Sequence, residues 1–290
     1  NSQITVLGKS NNIIEIHTTI NNGWKVNPDD LENILSLYKQ YQKMIIINNP
    51  HYPTGIIYNP DELLILSKVL DKHNVIILSD ESYHNINHFN EIISISEYAP
   101  HLTIRASSIS KDIGGEGYRL GWVTFPKELN YFYKSCSKIA KVVYNYSAIP
   151  IQNTVADLYK MDDVLDNHYR LMNIIYQWTM ERLALILRRT SLKFIKPMGG
   201  WHILLDFSYY RNKLGVKNGI DLCEYLLNRC GIVCSPGENY GIGGLNACFG
   251  LTELEIGEHI TVDNIQYNLD NIIMSITMGI AVLTDFLNNL

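Results

Sequence analysis

The chain lacks a surplus of positive charge: 24 lysines and arginines stand against 29 aspartates and glutamates, a formal net charge of −5. A basic face is the footprint of a nucleic-acid binder, and a basic stripe that of a protein held on anionic lipid, so both classes lose their first support. Cysteine is scarce and unpatterned. Cys136, Cys223, Cys230, Cys234 and Cys248 form an odd set with no framework spacing, which argues against a disulfide scaffold and fits a reducing, cytoplasmic compartment. Cys230 and Cys234 bracket a strand candidate with no second pair to complete a zinc site. No signal peptide is readable behind Asn1, and there is no internal repeat or low-complexity tract. One apolar stretch, Ile272 to Leu287, is interrupted by Ser275, Thr277, Gly279, Thr284 and Asp285. It falls short of the roughly 20 apolar residues of a spanning helix and reads as a packed C-terminal helix. Finally, no arginine follows Arg229.

What is present is a core. Apolar residues make up 46% and charged residues 18% of 290, enough for two modest domains. Asn12–His17 is a short strand candidate. Asn27-Pro28-Asp29-Asp30 and Asn59-Pro60-Asp61-Glu62 each open a helix with a capping asparagine, a first-turn proline and acids against the dipole. Between and after them lie the apolar runs Lys43–Asn48, Val75–Ser79, Leu102–Ala106 and Gly121–Phe125. Continuous apolar runs read as strands buried on both faces, and their alternation with helices predicts a parallel sheet with helical crossovers. Ile151–Arg189 reads as a long helical region. It leads into short strands at Leu192–Lys196, Trp201–Phe207, Ile232–Ser235 and Ala247–Gly250, with a helix around Gly219–Arg229. The expected organisation is an α/β domain over residues 1–160 and a smaller α+β domain over 161–290.

Ligands of an open parallel sheet bind beyond the carboxyl ends of its strands. Three successive ends here carry functional groups: Asn49-Pro50-His51-Tyr52-Pro53-Thr54-Gly55, Asp80-Glu81-Ser82-Tyr83, and Ser107-Ser108-Ile109-Ser110-Lys111 running on to Arg119. Lys111, partly desolvated near a cation such as Arg119, is a candidate amine nucleophile. Ser108, Ser110 and Arg119 suit a phosphate; Asp80 suits a protonated ring nitrogen and Tyr83 a ring oxygen. Together these are the requirements of pyridoxal phosphate.

The segments NPHYPTG (Asn49–Gly55), SDESY (Ser79–Tyr83) and SISKDIGGEGYRLGW (Ser108–Trp122), with weaker PMGGWHILLDF and SPGENYG, occur in one order along most of the chain. In this the sequence resembles the fold-type I pyridoxal-phosphate enzymes of the class I/II aminotransferase superfamily. The resemblance implies a large domain with a mostly parallel sheet flanked by helices, a small C-terminal domain, and a cytoplasmic homodimer. It implies Lys111 as the lysine that bonds the cofactor and shuttles protons, Asp80 on the pyridine nitrogen, and Tyr83 on the ring hydroxyl. It further implies Ser108 and Arg119 on the phosphate, with Tyr52 at the position beside the ring hydroxyl; Ser110 and Asn49 are counted with them as candidate cofactor ligands. The expected reaction moves an amino group between an amino acid and a 2-oxo acid. A lyase or cyclase expelling a β or γ group, or a cofactor-binding homologue without turnover, are the alternatives.

Three departures bear on that expectation. The resemblance implies an N-terminal portion of roughly a hundred residues ahead of Asn1, normally the source of a small-residue phosphate loop and a stacking aromatic ring. Tyr52 stands where the family pattern has asparagine. In the late strand GLNACFGLTE, Asn246 takes the place of the arginine that grips the substrate carboxylate, and a neutral amide is no bidentate clamp. Elsewhere, His84 and His88 have helical metal spacing but no acidic or cysteine partner. Gly241-Ile242-Gly243-Gly244 has no strand–helix context for a dinucleotide, and the tyrosines lack the basic interleaving of a base-stacking surface.

Overall fold

The computed structural model describes residues 12–88, 92–250 and 274–290. The opening helices form as their chemistry dictates. Asn27 accepts hydrogen bonds from Asp29 N and Asp30 N to start α1 (Pro28–Leu37), and Asn59 and Glu62 form a reciprocal capping box at the head of α2 (Pro60–Lys72). α2 buries Leu63, Leu66 and Leu70 against the first sheet's core, each contributing about 2 kcal/mol of apolar transfer.

The first sheet has the order β1 (Met44–Asn48), β2 (Ile76–Asp80), β3 (Thr103–Ser108), β4 (Gly121–Thr124). β1, β2 and β3 run parallel, with Asn48 beside Asp80 and Asp80 beside Ala106, so their carboxyl ends lie in one row. Two expectations are corrected here. β4 is antiparallel to β3, because the intervening segment closes on itself: Ile109 N donates to Leu120 O and Gly115 N to Ile109 O, returning the chain alongside β3 with Ser108 opposite Gly121. And β1 is not buried on both faces: Met44 and Ile46, two positions apart and so on the same face, are exposed, whereas Ile47 on the other face is buried. Asn12–His17 takes no strand conformation.

Next come α3 (Asn130–Val143), with no buried residue, then α4 (Ile149–Leu158) and α5 (Asp162–Leu187). The long helical region expected over Ile151–Arg189 forms as α4 and α5, separated at Tyr159–Met161, where the Tyr159 phenol donates to Asp112. The second sheet, all antiparallel, has the order β5 (His202–Asp206), β7 (Asn246–Gly250), β6 (Ser235–Pro236). Leu192–Lys196 contributes only an isolated bridge between Lys193 and Asp206. α6 (Gly219–Cys230) and α7 (Met274–Asn288) cover this sheet together with α5, burying Leu183, Ile203, Leu205, Phe207, Leu222, Leu226 and Leu283. Among the described residues no helix is long and apolar enough to cross a membrane. The two cores interlock, since Leu204 and Cys248 of the second sheet pack into the cluster beneath the first.

Candidate active site

At the end of β2 the chain turns on its own side chains. Asp80 Oδ1 accepts from Ser82 N at 3.1 Å and from Ser82 Oγ at 2.6 Å. Glu81, pointing to the opposite face, is buried and receives Ser79 Oγ at 2.9 Å, Ser94 Oγ at 2.5 Å and Arg105 Nη2 at 2.6 Å. Burial pushes the Glu81 carboxyl up, but these donors outweigh it and hold the group below the usual carboxylate range. Tyr83 is buried; its ring meets Trp201 edge-on at 5.1 Å and stacks with Tyr52 at 6.2 Å. Burial first, and the neighbouring Tyr52 and Asp80 next, raise its phenol well above the ordinary value.

Beyond β3, Ser108 caps the single helical turn Ile109–Asp112 by accepting Ser110 N at 3.3 Å. Asp112 anchors that turn, accepting Asn85 Nδ2 at 2.6 Å, Tyr169 Oη at 2.9 Å and the Tyr159 phenol. Lys111 is thereby fixed at its root: its Nζ lies 2.6 Å from Glu116 Oε2 and 5.5 Å from the centre of the Trp201 ring. Arg119, in left-handed backbone, donates Nη1 to Glu116 O at 2.9 Å and is otherwise open to solvent. Ser108, Ser110, Lys111 and Arg119 therefore share one closed loop.

The loop after β1 completes the enclosure. Asn48 Nδ2 donates to Asp80 O at 3.0 Å and Asn48 Oδ1 accepts Tyr52 N at 2.6 Å, tying the loop to the end of β2. Asn49 is buried, with Oδ1 accepting Tyr58 N at 3.1 Å and Nδ2 donating to Ile93 O at 3.4 Å, so both ends of its amide brace the loop. The Tyr52 phenol meets the Tyr240 phenol at 2.8 Å, and its ring contacts His202 edge-on at 4.5 Å. Pro50, His51, Tyr52, Tyr83, Gly200 and His202 line a shallow, open cleft. Burial, then the Lys111 charge, lowers the His202 pKa to about 4, so the ring is neutral at pH 7.

Of the residues singled out in the sequence, Asp80, Tyr83, Lys111, Tyr52, Ser108, Ser110 and Arg119 lie on the loops at neighbouring strand ends. Asn246 lies elsewhere: it is buried at the start of β7 opposite Asp206, and its Nδ2 donates to Gly243 O at 2.8 Å. Sequence reasoning did not single out His202, which lines the cleft, Trp201 and Tyr240, whose rings contact Tyr83 and Tyr52, nor Glu81, Asp112 and Glu116, which position the loops. The first three sat in the weakly matching segments PMGGWHILLDF and SPGENYG, where only residue order pointed to the site. Among the described residues His84 and His88 belong to no group of three metal-ligating side chains; His88 bonds Gly200 O at 2.7 Å and Pro197 O at 3.2 Å.

A lysine, a carboxylate, a buried phenol and a hydroxyl–guanidinium loop are thus gathered along the carboxyl edge of the first sheet. The family model of aminotransferase class I and II matches residues 5–261, and the chain belongs to that pyridoxal-phosphate-dependent family. It is 28% identical over 222 residues to the probable kynurenine–oxoglutarate transaminase of Saccharomyces cerevisiae, covering 71% of this chain and 49% of that one. It is 26% identical over 237 residues to the aspartate aminotransferase of Bacillus sp. (strain YM-2), covering 79% and 57%. The chain thus spans about half the length of the curated relatives it matches. The aspartate aminotransferase of Thermus thermophilus, solved as a double mutant, superposes with a TM-score of 0.75 at 19% identity over 92% of this chain and 63% of that one, a likeness of fold.

Proposed function

We propose that this chain transfers an amino group between an amino acid and a 2-oxo acid with pyridoxal 5'-phosphate as its cofactor. One observation carries the reading: Lys111 and Tyr83, from two different strand ends, meet on the same indole, the amine 5.5 Å and the phenol ring 5.1 Å from Trp201. The donor set fits the cofactor. Ser108, Ser110 and Arg119 supply hydroxyl and guanidinium donors for a phosphate dianion, Asp80 an acceptor for a protonated ring nitrogen, and Tyr83 and Tyr52 phenols for the ring hydroxyl. Asn49 acts on the ring through the loop it braces.

When bound, the cofactor supplies an electron sink for the bond being broken at the substrate α-carbon. This chain's residues do the rest. Lys111 holds and moves the proton at that carbon, its stem anchored by Asp112 one residue on. Asp80, its Oδ1 oriented by Ser82, keeps the ring nitrogen charged. Tyr83, whose burial favours the protonated phenol, donates rather than accepts. Tyr52, Trp201, His202 and Tyr240 would set an aromatic cluster along one side.

In the same reading residues 1–160 form the cofactor domain and 161–290 the small domain. The active unit is a homodimer, for which the exposed Val142, Val143, Tyr144 and Tyr146 supply an apolar face. The free state of all five cysteines supports a cytoplasmic location.

The test is to mix the purified chain with pyridoxal phosphate, desalt, and record the visible spectrum beside Lys111→Ala. A retained band absent from the variant supports the reading; no Lys111-dependent band overturns it. Adding an amino acid with 2-oxoglutarate then separates the reactions: glutamate marks amino transfer, whereas ammonia marks elimination and rejects it.

A further inference from the structure

Two cysteines that the active-site reading leaves aside stand face to face. Cys234 Sγ lies 3.4 Å from Cys223 Sγ and donates its hydrogen to it. Both side chains are half-buried, and the 3.4 Å between their sulfurs compares with about 2.05 Å in a disulfide bond. The backbones behind them are held in place. Cys223 lies near the start of α6, whose head is fixed by Asn218 Oδ1 accepting Asp221 N at 2.8 Å and by Gly219 N donating to Glu238 Oε1 at 2.8 Å. Cys234 immediately precedes β6, where Ser235 pairs with Cys248. The other thiols are placed differently: Cys136 is on α3, Cys230 ends α6, and Cys248 is buried in β7.

We propose that Cys223 and Cys234 are a disulfide-forming pair, closed reversibly by exchange with a small-molecule disulfide of the glutathione class. Closure ties α6 to β6 and so to the turn Gly237–Tyr240, whose Tyr240 phenol holds Tyr52 at the cleft. The order of events follows from the hydrogen bond. Accepting the Cys234 hydrogen holds the Cys223 thiol below its usual pKa, while Cys234 is raised, so Cys223 is the first thiolate. Its sulfur attacks one sulfur of the small disulfide and expels a small thiolate. Cys234 then gives up its proton, and its sulfur attacks Cys223 Sγ in the mixed disulfide, expelling the second small thiol. Two protein thiols and one small disulfide become one protein disulfide and two small thiols, with nothing else consumed. The inference stands independently of the cofactor.

The experiment equilibrates the full chain in glutathione buffers of graded thiol-to-disulfide ratio, blocks free thiols by alkylation, and maps the digest by mass spectrometry. The expected result is one linked peptide joining Cys223 and Cys234, lighter by two hydrogens than its parts. It forms in a single transition and is lost completely on return to reducing buffer. Cys223→Ser and Cys234→Ser each eliminate that peptide. Free or singly glutathionylated Cys223 and Cys234 across the whole series, or links running instead through Cys230 or Cys248, would overturn the pairing. The wild-type map decides this even where a serine variant folds poorly.

Discussion

Tyr52 Oη and Tyr240 Oη lie 2.8 Å apart although 188 positions separate them in the chain. This one contact joins the loop after β1 to the turn after β6, and so links the two sheets across the cleft. Burial, then the Tyr52 hydrogen bond, raises the Tyr240 phenol above its ordinary value, so Tyr240 stays protonated through neutral pH. Tyr52→Phe and Tyr240→Phe should each lower stability by about 1 kcal/mol. The double variant should lose no more than either single one, giving a coupling energy of about 1 kcal/mol in a urea-unfolding cycle.

Acid stability should be set by buried imidazoles. Burial lowers His51 to about 4, and burial with the Lys111 charge lowers His202 to about 4, against 6.5 for an unperturbed histidine. Between those values the unfolded chain binds protons that the folded chain refuses, so stability falls as pH drops from 6.5 to 4. Each half-buried ring should contribute on the order of 2 kcal/mol to that loss. Urea titrations across the window should show a slope that flattens in His51→Gln; an unchanged slope would reject the assignment.

Arg105→Ala should destabilise by about 3 kcal/mol, because among the described residues it leaves the buried Glu81 carboxylate with Ser79 and Ser94 as its side-chain donors. Glu81 sits below the usual carboxylate range, so the pair stabilises the fold above that range and ceases to do so as pH falls through the folded value. The difference between wild type and variant should therefore shrink in acid. Thermal unfolding at pH 7 and pH 4 measures it.

Gly55→Ala should cost about 3 kcal/mol. Gly55 has φ of +67°, and an added Cβ would lie 2.5 Å from Pro197 Cβ and 3.0 Å from Gly199 O. Gly55 O accepts both Met198 N and Gly199 N, so the strain falls on the seam behind the cleft. A lowered denaturant midpoint with unchanged slope is the expected signature.

Asp112→Ala removes the acceptor of Asn85, Tyr159 and Tyr169 and frees the turn that carries Lys111. Retention of pyridoxal phosphate should weaken on the order of tenfold although Lys111 itself is unchanged. Equilibrium titration of the visible band checks this.

The sequence by itself determined the local pieces. Asn27 and Asn59 announced their helices because capping is a matter of a few adjacent residues, and the apolar runs at Ile45–Ile47 and Ile76–Leu78 announced strands. Lys111, Asp80 and Tyr83 were legible because strand ends and motif spacing lie within short windows. What the tertiary structure decided depended on partners far along the chain. β4 runs antiparallel because Leu120 O returns to Ile109 N, and the helical region over Ile151–Arg189 divides in two where Tyr159 meets Asp112. Trp201, His202 and Tyr240 reach Tyr52 and Tyr83 only because the second sheet packs against the first, and no window of sequence contains both sides of that contact. The Cys223–Cys234 pair was likewise invisible to spacing, since a helix and a strand at different pitches brought the two sulfurs together.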